Sequence, residues 1–274
     1  MSDAPHLVFE VCGRRLALAV EAPSLVDQLA RLFPACADAQ PLGDRDPPQF
    51  RVTEEDGGFV FTAADGKRSR FDDAVELAMT VEFALTEAFL HEHREHAHVH
   101  AGGVVTPRGA VLFLGRAGAG KSSLAFSWCR RGAPALGDDV VMLDVQGRAH
   151  AFRRLFKLDP TFLRAAGIPL ASTPFWLEGS CTAWWDAGDA AGWAEPAAVV
   201  ALVIARFEAG VPAEVHEVPR RDALNALAHS LMASGLNRTA SFRTLSKVVE
   251  SAAPLEVRFG SAAEAVDALT ARLA

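Results

Sequence analysis

Gly115-Arg116-Ala117-Gly118-Ala119-Gly120-Lys121-Ser122 is the stretch that decides how this sequence of 274 residues should fold. It fits the spacing G-x-x-x-x-G-K-[ST], and it lies after the apolar run at 110–114 and before a helical run, as that pattern requires. The chain has only four lysines, and one of them occupies the lysine position of the pattern. The sequence therefore predicts a strand, a glycine-rich loop (residues 115–122) and a helix in succession.

The residue types in this loop are those that bind the phosphates of a nucleotide. Glycines let the backbone wrap closely enough for N–H groups to point at phosphates, and the following helix adds the positive end of its dipole. Lys121 would reach the terminal phosphates, and the Ser122 hydroxyl would ligate Mg²⁺. We expect ATP or GTP with Mg²⁺; the alternative is a glycine-rich turn with an ordinary exposed lysine. The predicted nucleotide-binding residues are Gly115, Arg116, Ala117, Gly118, Ala119, Gly120, Lys121, Ser122 and Ser123.

A pair of acidic residues follows the loop at a useful distance. Gly132 should end the helix near Arg131, and a short strand at 133–137 can then return parallel to the first strand. That path would deliver Asp138 and Asp139 close to the phosphates, one directed at a metal ion and the other at a phosphate acceptor. The alternative is a solvated acidic turn between two strands.

Histidines are concentrated just before the loop. His96, His98 and His100 alternate with small apolar residues, so on a strand all three imidazoles would share one face. A metal clamp is disfavoured, because no nearby cysteine or suitably spaced carboxylate completes a zinc set. We expect His91, His93 and His96 to be solvated residues near a helix end.

Charge and composition exclude several classes of protein. The balance of 27 Lys and Arg against 34 Asp and Glu gives a net charge of −7, which excludes a broad grip on nucleic acid or on an anionic membrane. The four cysteines form no C-x-x-C pair, so we expect buried, reduced thiols. The first residues lack a signal peptide's basic and apolar regions, and the longest apolar run has nine residues. A cytoplasmic protein is expected.

The chain should fold as two domains. Residues 1–95 read as a small α+β unit, with strands at 7–11, 16–20, 50–53 and 59–62 and helices at 24–33 and 72–93. Residues 96–274 form the α/β part that contains the glycine-rich loop. Strands are expected there at 140–145 and 199–204, and most of the remainder should be helical. Ser261 to Glu264 has the spacing of a helix capping box.

Two further segments have less specific signals. Arg153, Arg154 and Lys157 form a basic cluster that would contact phosphate or substrate; solvated charges at a strand edge are the alternative. Arg116 would touch a phosphate or face water. Four of the five tryptophans lie in or near the irregular segment 172–193, which would act as a mobile lid or be pinned to the core by aromatic anchors.

Four motifs together resemble the core of the bacterial HPr kinase/phosphorylase family. They are His100-Ala101-Gly102, the glycine-rich loop, Arg131-Gly132 and Asp138-Asp139, in that family's order and spacing. The likeness covers about 45 of the 274 residues. It implies an α/β fold built on the P-loop kinase core that this family shares with phosphoenolpyruvate carboxykinases, preceded here by the small N-terminal unit.

The resemblance also implies roles for individual residues. Asp139 would be the base that accepts the proton of a serine hydroxyl, His100 and Lys121 would complete the catalytic set, and Asp138 would join Ser122 at the metal. The acceptor would be a peptide or small protein, as for related kinases that accompany lasso-peptide gene clusters. Because members of the family commonly form oligomers, a homo-oligomer is also expected. A small-molecule hydroxyl kinase and a nucleotide-dependent switch that transfers to nothing remain alternatives.

One family signature is missing from the sequence. A Leu-Glu-Ile-Arg-Gly-type stretch should follow about 40 residues beyond the loop lysine, where its glutamate binds metal and is tied to phosphorylase activity. Here that region reads Pro160-Thr161-Phe162-Leu163-Arg164-Ala165-Ala166-Gly167. We therefore expect kinase activity without phosphorylase activity.

Overall fold

The computed structural model describes residues 6–33, 48–170, 182–233 and 235–274. Cys36, Cys181 and Trp176, for which expectations were stated above, lie outside the described residues. The described chain is a mixed α/β protein with several sheets and eight α-helices. None of its helices has the length and apolarity that crossing a bilayer requires.

Strands in the described residues are numbered along the chain. They are β1 (His6–Val11), β2 (Arg14–Glu21), β3 (Phe50–Glu55), β4 (Gly58–Thr62), β5 (Arg68–Phe71), β6 (Ala97–Val99), β7 (Gly102–Thr106), β8 (Gly109–Leu114), β9 (Ala135–Gly137), β10 (Val141–Leu143), β11 (Arg148–Ala151), β12 (Phe156–Leu158), β13 (Ala183–Trp185), β14 (Ala197–Phe207), β15 (Glu214–Glu217) and β16 (Ala253–Phe259).

The helices are numbered in the same way. They are α1 (Val26–Ala30), α2 (Ala74–Glu92), α3 (Lys121–Cys129), α4 (Pro160–Ala165), α5 (Ala187–Ala191), α6 (Arg220–His229), α7 (Arg238–Ser251) and α8 (Ala262–Leu273), and a single 3-10 turn (Pro23–Leu25) precedes α1.

The chain divides into two compact units. The first comprises Met1–His93, Arg153–Leu155 and Asp159–Trp185, and the second comprises Arg94–Phe152, Phe156–Leu158 and Asp186–Ala274. The main break, after His93, lies two residues before the expected boundary at 95/96. Two segments that the sequence assigns to the second domain are part of the first unit.

The first unit is built on a five-stranded sheet in the order β1-β2-β3-β4-β5. The β1–β2 hairpin turns at Cys12 and Gly13, which both have positive φ, as the tightest two-residue hairpin turns require. Helix α2 packs on this sheet through a stripe of fully buried residues at helical spacing. Asp73 caps α2 by accepting hydrogen bonds from the backbone N–H groups of Val75 and Glu76. The long helix predicted at 72–93 is confirmed, with ends shifted by one or two residues.

The second unit contains a nine-stranded sheet. Its strand path is β6-β10-β11-β14-β8-β7-β9, and β16 pairs with both β14 and β15. The long strand β14 pairs with β11 at its beginning and, further along, runs parallel to both β8 and β16. The carboxyl ends of β8, β14 and β16 therefore meet at one edge of the sheet, which we call the loop edge.

Strand directions bring the acidic pair to this same edge. Strand β7 is antiparallel to β8 and β9 is antiparallel to β7, so β9 runs in the direction of β8. The predicted return strand is confirmed in direction, but β7 lies between it and β8. Asp138 and Asp139 follow the end of β9 and His100 precedes the start of β7, so all three lie at the loop edge.

Some sequence expectations about local structure are incomplete or wrong. The region after β14 is mostly helical, as expected, but it also contains β15 and β16, which were not predicted. His93 was expected to be solvated; it is buried, and its Nε2 lies 2.8 Å from the carbonyl oxygen of Val11 in the first unit. Cys12 is exposed because it forms the β1–β2 turn, whereas Cys129 is buried as expected.

Candidate functional site

The glycine-rich loop connects β8 to α3 and needs its glycines. Gly115, Gly118 and Gly120 have φ values of 144°, 77° and 91°, which side-chain-bearing residues rarely adopt. A Cβ on Gly115 would lie 2.9 Å from the Cβ of Ala119, and one on Gly120 would lie 2.6 Å from Cζ of Phe259. Any residue other than glycine would therefore be strained at these three positions. Gly115 and Gly120 are also closely packed against neighbouring atoms.

The start of α3 is open to an anion. Gly120 is its N-cap and has no side chain, so no side-chain cap satisfies the N–H groups of the first turn. Arg116, Ala117 and Gly118 form the exposed tip of the loop, while the half-buried Ser123 lies in the first turn of the helix. Backbone N–H groups at such a helix start, with the helix dipole behind them, form an anion-binding site.

Lys121 is held under this loop. Its side chain is buried, and Nζ donates hydrogen bonds to the carbonyl oxygens of Gly115 at 3.0 Å and Arg116 at 3.3 Å. Burial lowers the pKa of Lys121 from its usual value, and the negative charges of Asp139 and Asp138 partly oppose that shift. Lys121 and the acidic pair thus share one electrostatic environment.

Asp138 is the buried member of the acidic pair. Its Oδ2 accepts a hydrogen bond of 2.8 Å from the backbone N–H of Lys157, and the Ser122 hydroxyl donates to its carbonyl oxygen at 3.4 Å. Burial, together with the charge of Asp138, raises the pKa of the Cys129 thiol to about 12, so this thiol is neutral behind the site. The Ser122 hydroxyl thus contacts the backbone of Asp138, and the hydroxyl and carboxylate that the two residues carry are oxygen ligands of the kind that Mg²⁺ prefers. The donor chemistry fits the predicted metal.

A sharp turn at Gly137 positions the pair. A Cβ at Gly137 would lie only 2.4 Å from the carbonyl oxygen of Val140, so a larger residue would force the turn open. The turn links β9 to β10, which both run in the direction of β8, and its two acidic residues differ in burial. Asp138 is buried, whereas Asp139 is partly exposed.

Asp139 pairs with His100. The Nδ1 atom of His100 lies 2.9 Å from Oδ1 of Asp139, with about 40% of each side chain exposed. The backbone N–H of His100 donates to the carbonyl oxygen of Ser230 at 2.7 Å, which fixes the backbone that carries the imidazole between β6 and β7. An oriented carboxylate that solvent can reach can accept a proton from a bound hydroxyl group.

Close packing holds strand β7, which begins just after His100, against helix α3. A Cβ on Gly102 would lie 3.0 Å from the carbonyl oxygen of Lys121, so the glycine lets β7 approach the start of α3. Helix α3 also contacts α8, where Arg131 forms an ion pair with Asp267. The glycine after His100 and the arginine after α3, both part of the sequence motifs, thus have structural roles.

The predicted basic cluster is divided between the two compact units. Arg154 is buried in the first unit and forms an ion pair of 2.7 Å with Glu82, and Arg153 belongs to that unit too. Lys157 belongs to the second unit and contacts Asp138 through its backbone. The charge of Arg154 is thus engaged by Glu82, and the backbone N–H of Lys157 contacts the acidic pair.

Described tryptophans act as anchors in the core. Trp184 is fully buried, and Trp193 packs edge-on against Phe156 with ring centroids 6.3 Å apart. Trp128 packs on Phe113 beneath the loop helix. These contacts favour the anchor interpretation over a lid for the part of segment 172–193 that is described.

Sequence reasoning missed two aromatic residues at the loop edge. Phe207 and Phe259 end β14 and β16 beside the glycine-rich loop. The first strand was predicted to stop three residues early, at 204, and the second was not predicted. The alternation of buried Leu255, Val257 and Phe259 with charged residues is a period-two signal that could have identified β16.

Comparison with known proteins supplies no family assignment. No protein-family model matches this chain, and no curated protein is significantly similar to it. The function must therefore be inferred from the chain's own residues and their geometry.

Proposed function

We propose that this protein is an ATP-dependent kinase that phosphorylates a serine hydroxyl on a peptide or small protein. The observation that carries the proposal is the contact of 2.9 Å between His100 and Asp139 at the same sheet edge as the glycine-rich loop. A phosphate site alone would fit many nucleotide-binding proteins. An oriented carboxylate beside it supplies what transfer to a hydroxyl additionally requires.

Each residue would have a distinct part in the reaction. The loop N–H groups and Lys121 would hold the terminal phosphates, and Ser122 and Asp138 would hold Mg²⁺, which neutralises charge on the phosphate oxygens. Asp139 would accept the proton of the serine hydroxyl. The serine oxygen then bonds to the terminal phosphorus, the bond to the bridging oxygen breaks, and ADP leaves with that electron pair.

His100 would position Asp139 rather than react itself. Its imidazole contacts one carboxylate oxygen, and its own backbone is fixed to Ser230. A base that is held in one orientation loses less freedom when the acceptor arrives, which lowers the barrier. The serine acceptor rests on the resemblance to the HPr kinase/phosphorylase family, and so does the core of the P-loop kinase type.

The test measures transfer from γ-labelled ATP to peptides. Synthetic peptide mixtures with a fixed central serine are compared with the same mixtures carrying alanine at that position. We expect label on the serine mixture alone, and we expect Asp139→Asn to reduce transfer by about 10²- to 10⁴-fold, the usual contribution of a general base. ATP affinity of that variant should be nearly unchanged, because the amide keeps the shape of the carboxylate.

The matched control is Asp72→Asn, at a carboxylate whose side chain is 95% exposed in the first unit. It should transfer phosphate as the unaltered protein does. Wild-type transfer by Asp139→Asn would overturn the assignment of the base. ATP turnover that needs no peptide and ignores the Asp139 change would instead favour a nucleotide-dependent switch, and label on small hydroxyl compounds alone would favour a small-molecule kinase.

A further inference from the structure

Two phenylalanines form a small aromatic surface beside the glycine-rich loop. Phe207 and Phe259 are register partners at the ends of the parallel strands β14 and β16. Their ring centroids lie 5.8 Å apart with an interplanar angle of 65°, an edge-to-face arrangement that aromatic pairs prefer. Both belong to the second unit, together with the loop.

This aromatic pair touches the loop directly. The backbone N–H of Phe207 donates to the carbonyl oxygen of Ala119 at 3.2 Å. A Cβ on Gly120 would lie 2.6 Å from Cζ of Phe259 and 3.4 Å from Cβ of Phe207. The two rings therefore lie immediately next to the backbone that would hold the phosphates.

The two rings differ sharply in exposure. Phe259 is fully buried, whereas 51% of Phe207 is exposed. Exposing a large apolar side chain to water is unfavourable. Phe207 is supported by a core ring on one side and open to solvent on another, which is the arrangement of a flat surface that receives a ligand.

The backbone around Phe207 is fixed from both directions. On one side its N–H is bonded to the loop, and on the other the N–H of Glu208 donates to the carbonyl oxygen of Phe259 at 2.9 Å. Glu208 also forms an ion pair with Arg258, the residue before Phe259. These contacts hold the exposed ring in place without relying on a ligand.

We propose that Phe207 is the stacking platform for the base of the bound nucleotide. The inference rests on the proposed function, because it assumes phosphates at the glycine-rich loop. In open α/β sheets, ligands bind outside the carboxyl ends of the strands, and β14 ends beside β8, the strand that leads into the loop, with β16 on its other side. Stacking on an aromatic ring accepts any base, since every base has a π-face. The site therefore takes a nucleoside triphosphate, with Phe207 responsible for the base and the loop for the phosphates.

The test separates the base from the phosphates by using two probes. Mg·ATP and Mg·tripolyphosphate, which has no base or ribose, are each titrated calorimetrically into the full chain. We expect Phe207→Ala to weaken ATP binding about tenfold, the scale of one lost stacking contact, and to leave tripolyphosphate binding unchanged. Phe207→Trp should retain or improve ATP affinity, because it keeps an aromatic face.

The matched control is Phe242→Ala on α7, where the ring is 53% exposed, close to the exposure of Phe207. It should bind both probes as the unaltered protein does. Equal ATP affinity of Phe207→Ala and the unaltered protein would overturn the platform, and so would parallel losses for ATP and tripolyphosphate, which would indicate damage to the loop. If the unaltered protein binds neither probe, the proposed nucleotide site itself fails, an outcome distinct from both.

Discussion

Lys121 and Asp144 are two buried charged residues of the second unit with opposite environments. Asp144 accepts hydrogen bonds from Nε of Arg148 at 2.8 Å, from Nε2 of His150 at 3.0 Å and from two backbone N–H groups of its own turn. Burial alone would raise the pKa of Asp144, but these hydrogen bonds outweigh it and lower the pKa to about 2. The hydrogen bonds to Asp144 therefore stabilise its charged form without any ligand.

The glycine-rich loop does the reverse for Lys121. The lysine bonds to carbonyl oxygens, and burial lowers its pKa, so folding disfavours its charged form. A bound polyphosphate would bring the negative charge that the loop itself lacks. The contrast teaches that the Asp144 turn is built for stability, whereas the loop holds a cation at a cost in stability that a ligand would offset.

The largest expected effect is on the stability of the first unit, where one buried charge is balanced by another. Glu82 on α2 is fully buried and ion-paired with the buried Arg154. We expect Glu82→Gln to lower the free energy of unfolding by about 3–5 kcal/mol, because the buried guanidinium loses its counter-charge. Urea unfolding measures the change, and the control is Glu87→Gln on the exposed face of the same helix. If Glu82→Gln lowers the free energy of unfolding as little as the control does, Glu82 does not stabilise the fold in the way proposed for Asp144.

The next effect is at the loop itself. We expect Lys121→Met to weaken ATP binding by about a hundredfold, or about 3 kcal/mol, since a charge-assisted contact to phosphate is lost. The free energy of unfolding should stay equal or rise, because the folded state no longer buries that charge. For the same reason, the unaltered protein should gain stability relative to the variant as pH rises through the lowered pKa towards 10.5.

Lys247→Met is the control for this change, because Lys247 also donates to a carbonyl oxygen, that of Val145, but does so at the surface. It should bind ATP normally. A clear fall in the stability of Lys121→Met would place Lys121 among the structural charges and remove the contrast.

The smallest effect concerns the Asp144 turn. The pKa of Asp144 falls from 3.8 to about 2 on folding, so its charged form contributes about 2 kcal/mol of stability at neutral pH. Between these two pH values the unfolded chain binds the proton first, so this contribution disappears as pH falls from about 4 to about 2. Asp144→Asn should lower stability at pH 7 and differ less from the unaltered protein in acid. Asp267→Asn, at an exposed ion pair, is the control and should show little change at either pH. A stability gap that stays constant down to pH 2 would contradict this account of Asp144.

Local patterns were sufficient to predict the parts of the site that follow one another closely in sequence. The strand, glycine-rich loop and helix in succession and the helix cap at Ser261 each depend on a few neighbouring residues, and these local structures are confirmed. The nearness of Asp138 and Asp139 to Lys121 followed from counting a helix and a strand. The kinase core and the catalytic roles themselves stay predictions.

Features set by distant contacts could not be predicted in this way. Arg154 forms an ion pair with Glu82, which lies far away in the sequence, so residues near Arg154 could not indicate this contact. The same holds for His93 at the end of α2, which contacts Val11 in strand β1. Strand β16 is positioned by its pairing with β14 and β15. This pairing places Phe259 beside the loop.

The route of the chain through the nine-stranded sheet has a consequence for folding. Strand β6 lies at one end of the strand path and β7 near the other, yet only His100 and Ala101 separate them; likewise only residues 138–140 separate β9 from β10. The contact between His100 and Asp139 thus joins the two places where the chain crosses from one end of the sheet to the other. A folding intermediate that has formed only the local β7–β8 hairpin lacks this contact. If phosphate transfer requires this contact, as proposed, transfer should be regained late in refolding, when both ends of the strand path have formed.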